Sequence, residues 1–357
     1  AAINIPLLMG GRTSDPDIAE EAVAGGKIDG IVCGRPMLAD EGFAAKILSG
    51  ETGKIRPCIA CNQGCYYRLL EEGKTGSCAV NPSTDYTDEA LPKEADVKKN
   101  ILVVGGGVSG MEFARTAALR GHTVCLYEKT DKLGGNLIPA GNHTFKKDLH
   151  RLAAWYEQEL KDIGVDIFLN TELTPKEIAD IKPDAVVLAV GSVPIIPNVD
   201  GVERATGALA VLNGEKEIGK SVVVVGGGLV GCEIAYDFAR NGKDVTIVEG
   251  LDAILNGNVP YPNKMFLIDS FEKYGTKIMT GAMLKGVTDS GAIVEKDGQP
   301  EEISTDDVVI SIGFKPAPSM ADELKEMGID VVEIGDAKNV GNVMTSIWSA
   351  FDMAKEI

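Results

Sequence analysis

The sequence lacks the long apolar runs and the positive charge that several classes of protein require. No apolar run approaches the roughly 20 residues of a membrane span, and no basic segment leads into an apolar one as in a secretory leader. Lys and Arg number 35 against 53 Asp and Glu, a net charge of −18. Such an acidic surface repels nucleic acid and anionic lipid. We therefore expect a cytoplasmic protein without a nucleic-acid or membrane partner, and a homo-oligomer is compatible with this composition.

The seven cysteines are not spaced like a disulfide framework. Four fall within 21 residues, and the other three stand alone in apolar or glycine-rich surroundings. In a reducing compartment, clustered cysteines are more often metal ligands than disulfides. The three lone cysteines are predicted to be small core residues (Cys33, Cys125 and Cys232).

An internal repeat organises most of the chain. NILVVGGGVSGMEFARTAALRGHTVCLYEK and SVVVVGGGLVGCEIAYDFARNGKDVTIVEG share a β run, a glycine turn, a helical run, a glycine stop and a second β run. Gly105 and Gly226 are 121 positions apart, as are Glu128 and Glu249. The repeat predicts two copies of one α/β unit.

Each copy carries the dinucleotide fingerprint G-x-G-x-x-G between a strand (Ile101–Val104 or Val222–Val225) and a helix. The first glycine permits a tight turn, the second lets the backbone approach a pyrophosphate, and the third lets the helix pack against the strand. The helix N-terminus adds N–H groups and the positive end of its dipole. The fingerprint glycines are Gly105, Gly107 and Gly110 in the first copy and Gly226, Gly228 and Gly231 in the second.

An acid ends the second strand of each copy, where a carboxylate can accept hydrogen bonds from a ribose hydroxyl. These acids are Glu128 and Glu249. The residues after Glu249 include no arginine that could bind a 2′-phosphate, which favours NADH over NADPH at the second copy. The alternative is a pair of solvated surface carboxylates.

The clustered cysteines form the motif C-x2-C-x3-C-x12-C, with Cys58, Cys61, Cys65 and Cys78. Three closely spaced thiolates and one from a nearby loop can ligate a compact iron–sulfur cluster. Zinc sites usually show two C-x2-C pairs or histidines, which this motif lacks. The spacing favours iron and sulfur, with zinc and redox thiols as alternatives.

The first fifty residues show a β-loop-α-β-loop pattern in which a glycine and an arginine follow each strand. These pairs are Gly11 with Arg12 and Gly34 with Arg35. The loops after the last strands of TIM barrels commonly bind phosphate, through glycine N–H groups and the forked donors of arginine. The alternative is a pair of ordinary βα turns.

No catalytic acid or base is assigned in this chain. The three histidines are predicted to be surface or packing residues (His122, His143 and His150). Trp155 and Tyr156 fall in an amphipathic helical stretch, Leu149–Ile163, and are predicted to belong to the core.

The repeat resembles flavoproteins with two dinucleotide-binding domains, in which the first domain binds FAD and the second, inserted into the first, binds NAD(P)H. The resemblance implies that LGGN, with Gly134, Gly135 and Asn136, lies along FAD. It also implies that the chain returns at VEIGD, where Asp336 contacts the flavin ribityl chain. A helix N-cap is the alternative for Asp336.

KIRPCIACNQGC and the later CAVNP resemble the linker of the 2-enoate reductase, 2,4-dienoyl-CoA reductase and trimethylamine dehydrogenase family. The resemblance implies that the four cysteines hold a [4Fe–4S] cluster. GGRTSDPDIAEE and GRPMLADEGFAAK are similar to the last two β/α units of that family's FMN-binding barrel. Gly11, Arg12, Gly34 and Arg35 would then bind the FMN phosphate.

The expected fold is α/β, with two Rossmann-like domains preceded by the last two β/α units of a TIM barrel and an iron–sulfur linker. The expected divisions are a barrel part (1–50), a cluster linker (51–98), an FAD domain (99–200 and 318–357) and an NADH domain (201–317). Since a TIM barrel needs roughly 250 residues, we expect the chain to be the C-terminal part of a larger enzyme.

The resemblance implies an electron route from NADH through FAD and the cluster to FMN. Three hypotheses follow. The first is an NADH-dependent reductase of an activated C=C bond in an enoate-type small molecule. The second is an amine dehydrogenase or demethylase of the same family, and the third is an electron-transfer module that feeds a separate protein.

Overall fold

A computed structural model describes residues 4–11, 15–85 and 91–357 of the chain. The chain separates into two compact units. Unit 1 consists of Ala1–Ile138, Asp148–Gly191 and Pro318–Ile357, and unit 2 of Pro139–Lys147 and Ser192–Ala317. No helix among the described residues is long and apolar enough to cross a membrane.

Short strands and helices begin the described chain: β1 (Leu8–Gly10), α1 (Pro16–Ala24), β2 (Gly30–Val32), α2 (Arg35–Ala39) and α3 (Phe43–Leu48). Strands β1 and β2 pair in parallel, with Gly10 opposite Val32. Helix α1 begins after Asp15, whose carboxylate accepts a hydrogen bond from the N–H of Asp17. This is a usual way to satisfy a free N–H at a helix start.

The cysteine segment, residues 54–81, has little regular structure. Its one long element is a π-helix over Gln63–Glu71, and short 3₁₀ turns flank the segment at Thr52–Lys54 and Pro82–Asp85. Asn62 adopts a left-handed conformation (φ 61°) directly before the π-helix. The chain therefore changes direction sharply between the second and third cysteines.

The first repeat forms β3 (Asn100–Val104), α4 (Val108–Leu119), β4 (Thr123–Tyr127), α5 (Leu137–Gly141), α6 (Asp148–Asp162), β5 (Asp166–Phe168), α7 (Pro175–Ile181) and β6 (Ala185–Leu188). Four of the five β3 residues are buried. A strand buried on both faces is typical of parallel sheets covered by helices.

The next part of the chain forms β7 (Ser192–Pro194), β8 (Thr206–Gly207), α8 (Ala208–Leu212), β9 (Ser221–Val225), α9 (Leu229–Arg240), β10 (Asp244–Glu249), α10 (Tyr261–Tyr274), β11 (Lys277–Thr280), β12 (Ala282–Thr288), β13 (Gly291–Lys296), β14 (Gln299–Ser304), β15 (Asp307–Ile310) and β16 (Phe314–Pro316). One parallel sheet has the order β11-β10-β9-β15-β8, and β12-β13-β14 form an antiparallel sheet. Because strand side chains alternate, Val222 and Val224 join one core cluster, and Val223 and Val225 join another.

The chain then forms α11 (Ala321–Glu326), β17 (Val331–Glu333) and α12 (Val343–Glu356). Strand β17 joins the sheet of the first repeat, which has the parallel order β17-β6-β3-β4-β5. Asn342 and Thr345 form a reciprocal capping box at the start of α12. Asp336 is therefore not the N-cap of this helix.

Two glycines of each fingerprint bring a helix and a turn into direct backbone contact. A Cβ at Gly110 would lie 2.0 Å from Gly105 O, and one at Gly231 would lie 2.0 Å from Gly226 O. The space at Gly107 is different, because a Cβ there would have no neighbour within 4 Å. The third glycine thus serves packing, as its place in the motif predicts.

We expect Gly110→Ala to lower the free energy of unfolding by roughly 1–3 kcal/mol, because the new methyl group overlaps a carbonyl oxygen that is part of the backbone. Gly107→Ala is the matched control and should stay within about 1 kcal/mol of the unmodified chain. Denaturant unfolding of the cofactor-free protein measures both values. Equal destabilisation by the two variants would contradict the packing role.

Candidate functional site

The acid of the first repeat binds the glycine turn. Gly106 donates its N–H to Glu128 Oε2 at 2.7 Å, and Thr130 donates its N–H to Glu128 Oε1 at 2.8 Å. Glu128 is 8% exposed. The alternative of a solvated surface carboxylate is therefore wrong for this residue, which fixes the turn where a dinucleotide would lie.

The predicted FAD residues of unit 1 converge on the start of α4. Gly134 forms an isolated bridge with Gly107 and donates its N–H to Gly106 O at 2.8 Å. The backbone at Gly335 also approaches α4, because a Cβ there would lie 1.9 Å from Ser109 Oγ.

Asp336 follows Gly335 in a 3₁₀ turn and accepts hydrogen bonds from Gly341 N (3.0 Å) and Ser346 Oγ (3.4 Å). Gly135 and Asn136 are exposed at the end of the Gly134 loop. The LGGN loop and the VEIGD turn therefore border the same glycine turn, although they are separated by some 200 positions in the sequence.

Unit 2 repeats the arrangement of turn and acid. Gly227 donates its N–H to Glu249 Oε2 at 2.6 Å, and Leu251 donates its N–H to Oε1 at 2.8 Å. Glu249 is half-buried and hydrogen-bonded rather than freely solvated. In both repeats the acid lies 22 positions after the glycine whose N–H it accepts, Gly106 or Gly227.

All four clustered cysteines line one cavity, with about 310 Å³ of empty space including its open mouth. All four are free thiols. Burial raises the pKa of Cys58, and raises the pKa of Cys61 to about 12 and that of Cys78 to about 11. Without a metal these thiols therefore keep their protons at neutral pH.

Backbone N–H groups point at three of the sulfur atoms. Ala60 donates to Cys58 Sγ, Gln63 to Cys61 Sγ, and both Val80 and Asn81 to Cys78 Sγ. A donor two positions after the cysteine occurs in all three cases. Such bonds stabilise the thiolate form and are among the features that tune iron–sulfur clusters.

Unusual backbone geometry produces this ring of donors. Ala60 and Asn62 have positive φ values of 53° and 61°, and alternating turns of this kind aim successive N–H groups into one concavity. Gly64 lets the fourth ligand approach, since a Cβ there would lie 2.9 Å from the N, Cα and C atoms of Cys78.

A single metal ion does not suit the cavity. Across the described ranges, no three His, Cys, Asp or Glu side chains converge in an arrangement that could hold one metal ion. A tetrahedral zinc ion needs each sulfur about 2.3 Å from one point, whereas a four-iron cube takes one sulfur at each of four separated corners. Four thiols with N–H donors to three of their sulfurs fit the cluster better than zinc.

Two arginines beside the cavity were missed as partners of the cysteines. Arg35 Nη1 donates to Asn62 Oδ1 at 3.0 Å, and its charge partly opposes the raised pKa of Cys58. Arg56 Nη1 donates to Val80 O and to Asn81 Oδ1, at 3.0 Å each. The position of Arg56 two residues before Cys58 is the sequence feature that could have indicated the contact with Val80 and Asn81.

The predicted phosphate residues lie after neighbouring strands. Gly11 follows β1 and Gly34 precedes α2, and both are exposed. Because β1 and β2 are parallel, these two residues lie at the same edge of the strand pair. Arg12 lies outside the described residues.

The chain matches the family model described as pyridine nucleotide-disulphide oxidoreductase over residues 72–180 and 172–355. It is 40% identical over 357 residues to cinnamate reductase of Clostridium sporogenes, covering 99% of this chain and 54% of that protein. It is 37% identical to NADH oxidase of Thermoanaerobacter brockii, covering 99% and 56%. The chain thus spans about half the length of these curated relatives.

A solved structure of 2-naphthoyl-CoA reductase with 2-naphthoyl-CoA superimposes with a TM-score of 0.91 at 32% identity. The match covers 100% of this chain and 55% of that one. The likeness therefore includes the β1–β2 region and the cysteine segment as well as the two repeats.

We expect Cys61 and Cys78 of the folded, metal-free protein to react with iodoacetamide at least roughly 100-fold more slowly at pH 8.5 than in the unfolded chain, because only the thiolate attacks. The rate in the folded protein should still rise at pH 10, where the unfolded chain has levelled off above its ordinary thiol pKa of about 8.5. Mass spectrometry of alkylated peptides measures both rates. Equal rates in the two states would contradict the raised pKa values.

Proposed function

Because the chain belongs to the pyridine nucleotide-disulphide oxidoreductase family, we propose that it is the electron-input part of an NADH-dependent iron–sulfur flavoenzyme that reduces an activated C=C bond. The main support is one observation. Two dinucleotide folds and a four-thiol cavity ringed by N–H donors occur in the same chain.

The names of two relatives support the choice of substrate class. Cinnamate carries a C=C bond conjugated with a carboxylate, and 2-naphthoyl-CoA carries an unsaturated ring conjugated with a thioester. Both are acceptors that a hydride can attack. An enoate-type acceptor is therefore proposed for the enzyme to which this chain contributes.

In unit 1 the proposed FAD residues are Gly105, Gly107, Gly110, Glu128, Gly134, Gly135, Asn136 and Asp336. The open space at Gly107 leaves room for a pyrophosphate beside the N-terminus of α4, where the helix dipole favours negative charge. Glu128 holds the turn with its carboxylate, and its hydrogen bonds to main-chain N–H groups fix the orientation in which a ribose would meet it.

In unit 2 the proposed NADH residues are Gly226, Gly228, Gly231 and Glu249. A Cβ at Gly228 would have no neighbour within 4 Å, so the N-terminus of α9 is open in the same way. Glu249 would repel a 2′-phosphate, since the two groups carry the same charge. NADH is therefore the proposed donor.

The cysteine cavity is the proposed site of a [4Fe–4S] cluster held by Cys58, Cys61, Cys65 and Cys78. When bound, the flavins would supply hydride transfer and the cluster would supply single-electron transfer between them. The chain provides thiolates, N–H donors to three sulfurs and a largely buried surround. The N–H donors would offset part of the negative charge of the thiolates.

Gly11, Arg12, Gly34 and Arg35 are the proposed FMN phosphate residues. Parallel strands are normally buried on both faces, yet Leu8 is 63% exposed and Val32 is 54% exposed. The exposure of these two apolar side chains, Leu8 and Val32, supports the view that β1 and β2 belong to a larger barrel.

Anaerobic purification followed by NADH titration tests the proposal. We expect bound flavin, about four iron atoms per chain, and bleaching of the flavin absorbance on addition of NADH. A protein that contains zinc in place of iron and shows no bleaching would overturn the proposed function.

We expect Cys61→Ser to remove the iron and leave the reduction of FAD by NADH intact, because Cys61 is not one of the residues proposed to bind FAD or NADH. Iron analysis and anaerobic absorbance spectra of the same sample measure both properties. Loss of flavin reduction together with the iron would contradict this modular assignment.

Gly64→Ala should also lower the iron content several-fold, because its methyl group would overlap three backbone atoms of Cys78. Gly76→Ala is the matched control in the same segment, since the nearest atom to its Cβ is 3.7 Å away. Iron per chain after anaerobic purification is the measurement. Full iron content in Gly64→Ala would show that the approach of Gly64 to Cys78 is dispensable.

A further inference from the structure

Arg56 joins the two ends of the cysteine segment. It lies two positions before Cys58, and its main-chain N–H donates to Asp40 Oδ2 at 2.8 Å. Its guanidinium donates to Val80 O and Asn81 Oδ1, two and three positions after Cys78. Arg56 therefore links the residues before the first cysteine to those after the fourth.

The charge of Arg56 is buried among neutral acceptors. The residue is 6% exposed, and both hydrogen-bond acceptors of its guanidinium are uncharged. In the part of the chain that the structure describes, the guanidinium has no carboxylate partner. A buried cation without a directly paired carboxylate is costly, so an anion bound beside Arg56 would be stabilised by it.

The ring of Trp155 holds this cation in place. The guanidinium carbon of Arg56 lies 4.5 Å from the centre of the ring, within the range of a cation–π interaction. Trp155 is 6% exposed, and its Nε1 donates to Lys54 O at 3.1 Å. The indole therefore contacts the cysteine segment at both Lys54 and Arg56.

A second arginine lies on the same ring and differs in one respect. Arg115 is 5.5 Å from the centre of the Trp155 ring. It is paired with Glu159 at 2.9 Å and with Glu112 at 3.8 Å. Its charge is therefore neutralised locally, whereas that of Arg56 is not.

A cluster in the neighbouring cysteine cavity would be such an anion. Four thiolates around a [4Fe–4S] core carry net negative charge, and each added electron increases it. The guanidinium of Arg56 lies beside this site, since its Nη1 donates to Val80 O and to Asn81 Oδ1, two and three positions after Cys78. A fixed positive charge stabilises the more negative, reduced form.

We propose that Arg56 is a positioning residue that supplies the buried counter-charge of the cysteine centre and raises its reduction potential. The inference rests on the proposed function, because it requires a cluster at the four cysteines. It adds a residue outside the ligand set that determines how readily the centre accepts an electron.

The test compares Arg56→Met, Arg56→Lys and Arg115→Met in the full chain, purified anaerobically. Iron per chain and the midpoint potential of the cluster, from a redox titration followed by electron paramagnetic resonance, are the measurements. We expect a more negative potential in Arg56→Met, a potential near that of the unmodified chain in Arg56→Lys, and no shift in Arg115→Met.

Several outcomes would overturn the inference. An unchanged potential in Arg56→Met would show that the charge of Arg56 does not affect the potential. An equal shift in Arg115→Met would show that the effect is not specific to Arg56. Equal shifts in the methionine and lysine variants would assign the effect to hydrogen-bond geometry instead.

Failure of Arg56→Met to assemble a cluster is also decisive. In that case iron and a normal potential in Arg56→Lys would support the counter-charge, and loss of iron in both variants would refute it. Absence of iron in the unmodified chain would refute the proposed function itself, whereas a normal cluster with an unchanged potential in Arg56→Met refutes the Arg56 inference alone.

Discussion

The close approach of one backbone segment to another, with no side chain between them, is the constraint on which the rest of this structure depends. At Gly110 and Gly231 it lets a helix start directly against the turn that precedes it. At Gly64 it brings the π-helix against Cys78. Close backbone contact at a glycine therefore shapes both dinucleotide folds and the cysteine cavity. In these places main-chain N–H groups face an open space.

Electrostatics then decides what those spaces can hold. The helix starts offer partial positive charge to phosphates, and carboxylates of Glu128 and Glu249 tie each turn in place. At the cysteines, burial disfavours the thiolates that a metal requires, as the raised pKa of Cys61 indicates. N–H donors and the cation of Arg56 act in the opposite direction. The cavity is thus poorly suited to free thiolates.

Much of the fold could be predicted from the sequence, because local patterns carry it. The strand at Ile101–Val104 and its counterpart at Val222–Val225 differ from the observed strands by one residue each. Trp155 and Tyr156 are buried, as their helical periodicity predicted. The barrel assignment of residues 1–50, the cluster and FMN are proposals that depend on the resemblance to a family rather than on local patterns.

The sequence by itself determined the two repeats, their glycine turns and the four-cysteine motif, because these features depend on residues that are close together in the chain. Only the tertiary structure decided that Glu128 is buried against its own turn, that Asp336 is not a helix cap, and that Arg56 joins Val80 to Trp155. The reason is distance along the chain. Trp155 and Arg56 are 99 positions apart. Local sequence patterns cannot predict a contact between an aromatic ring and a cation that are so far apart in the chain.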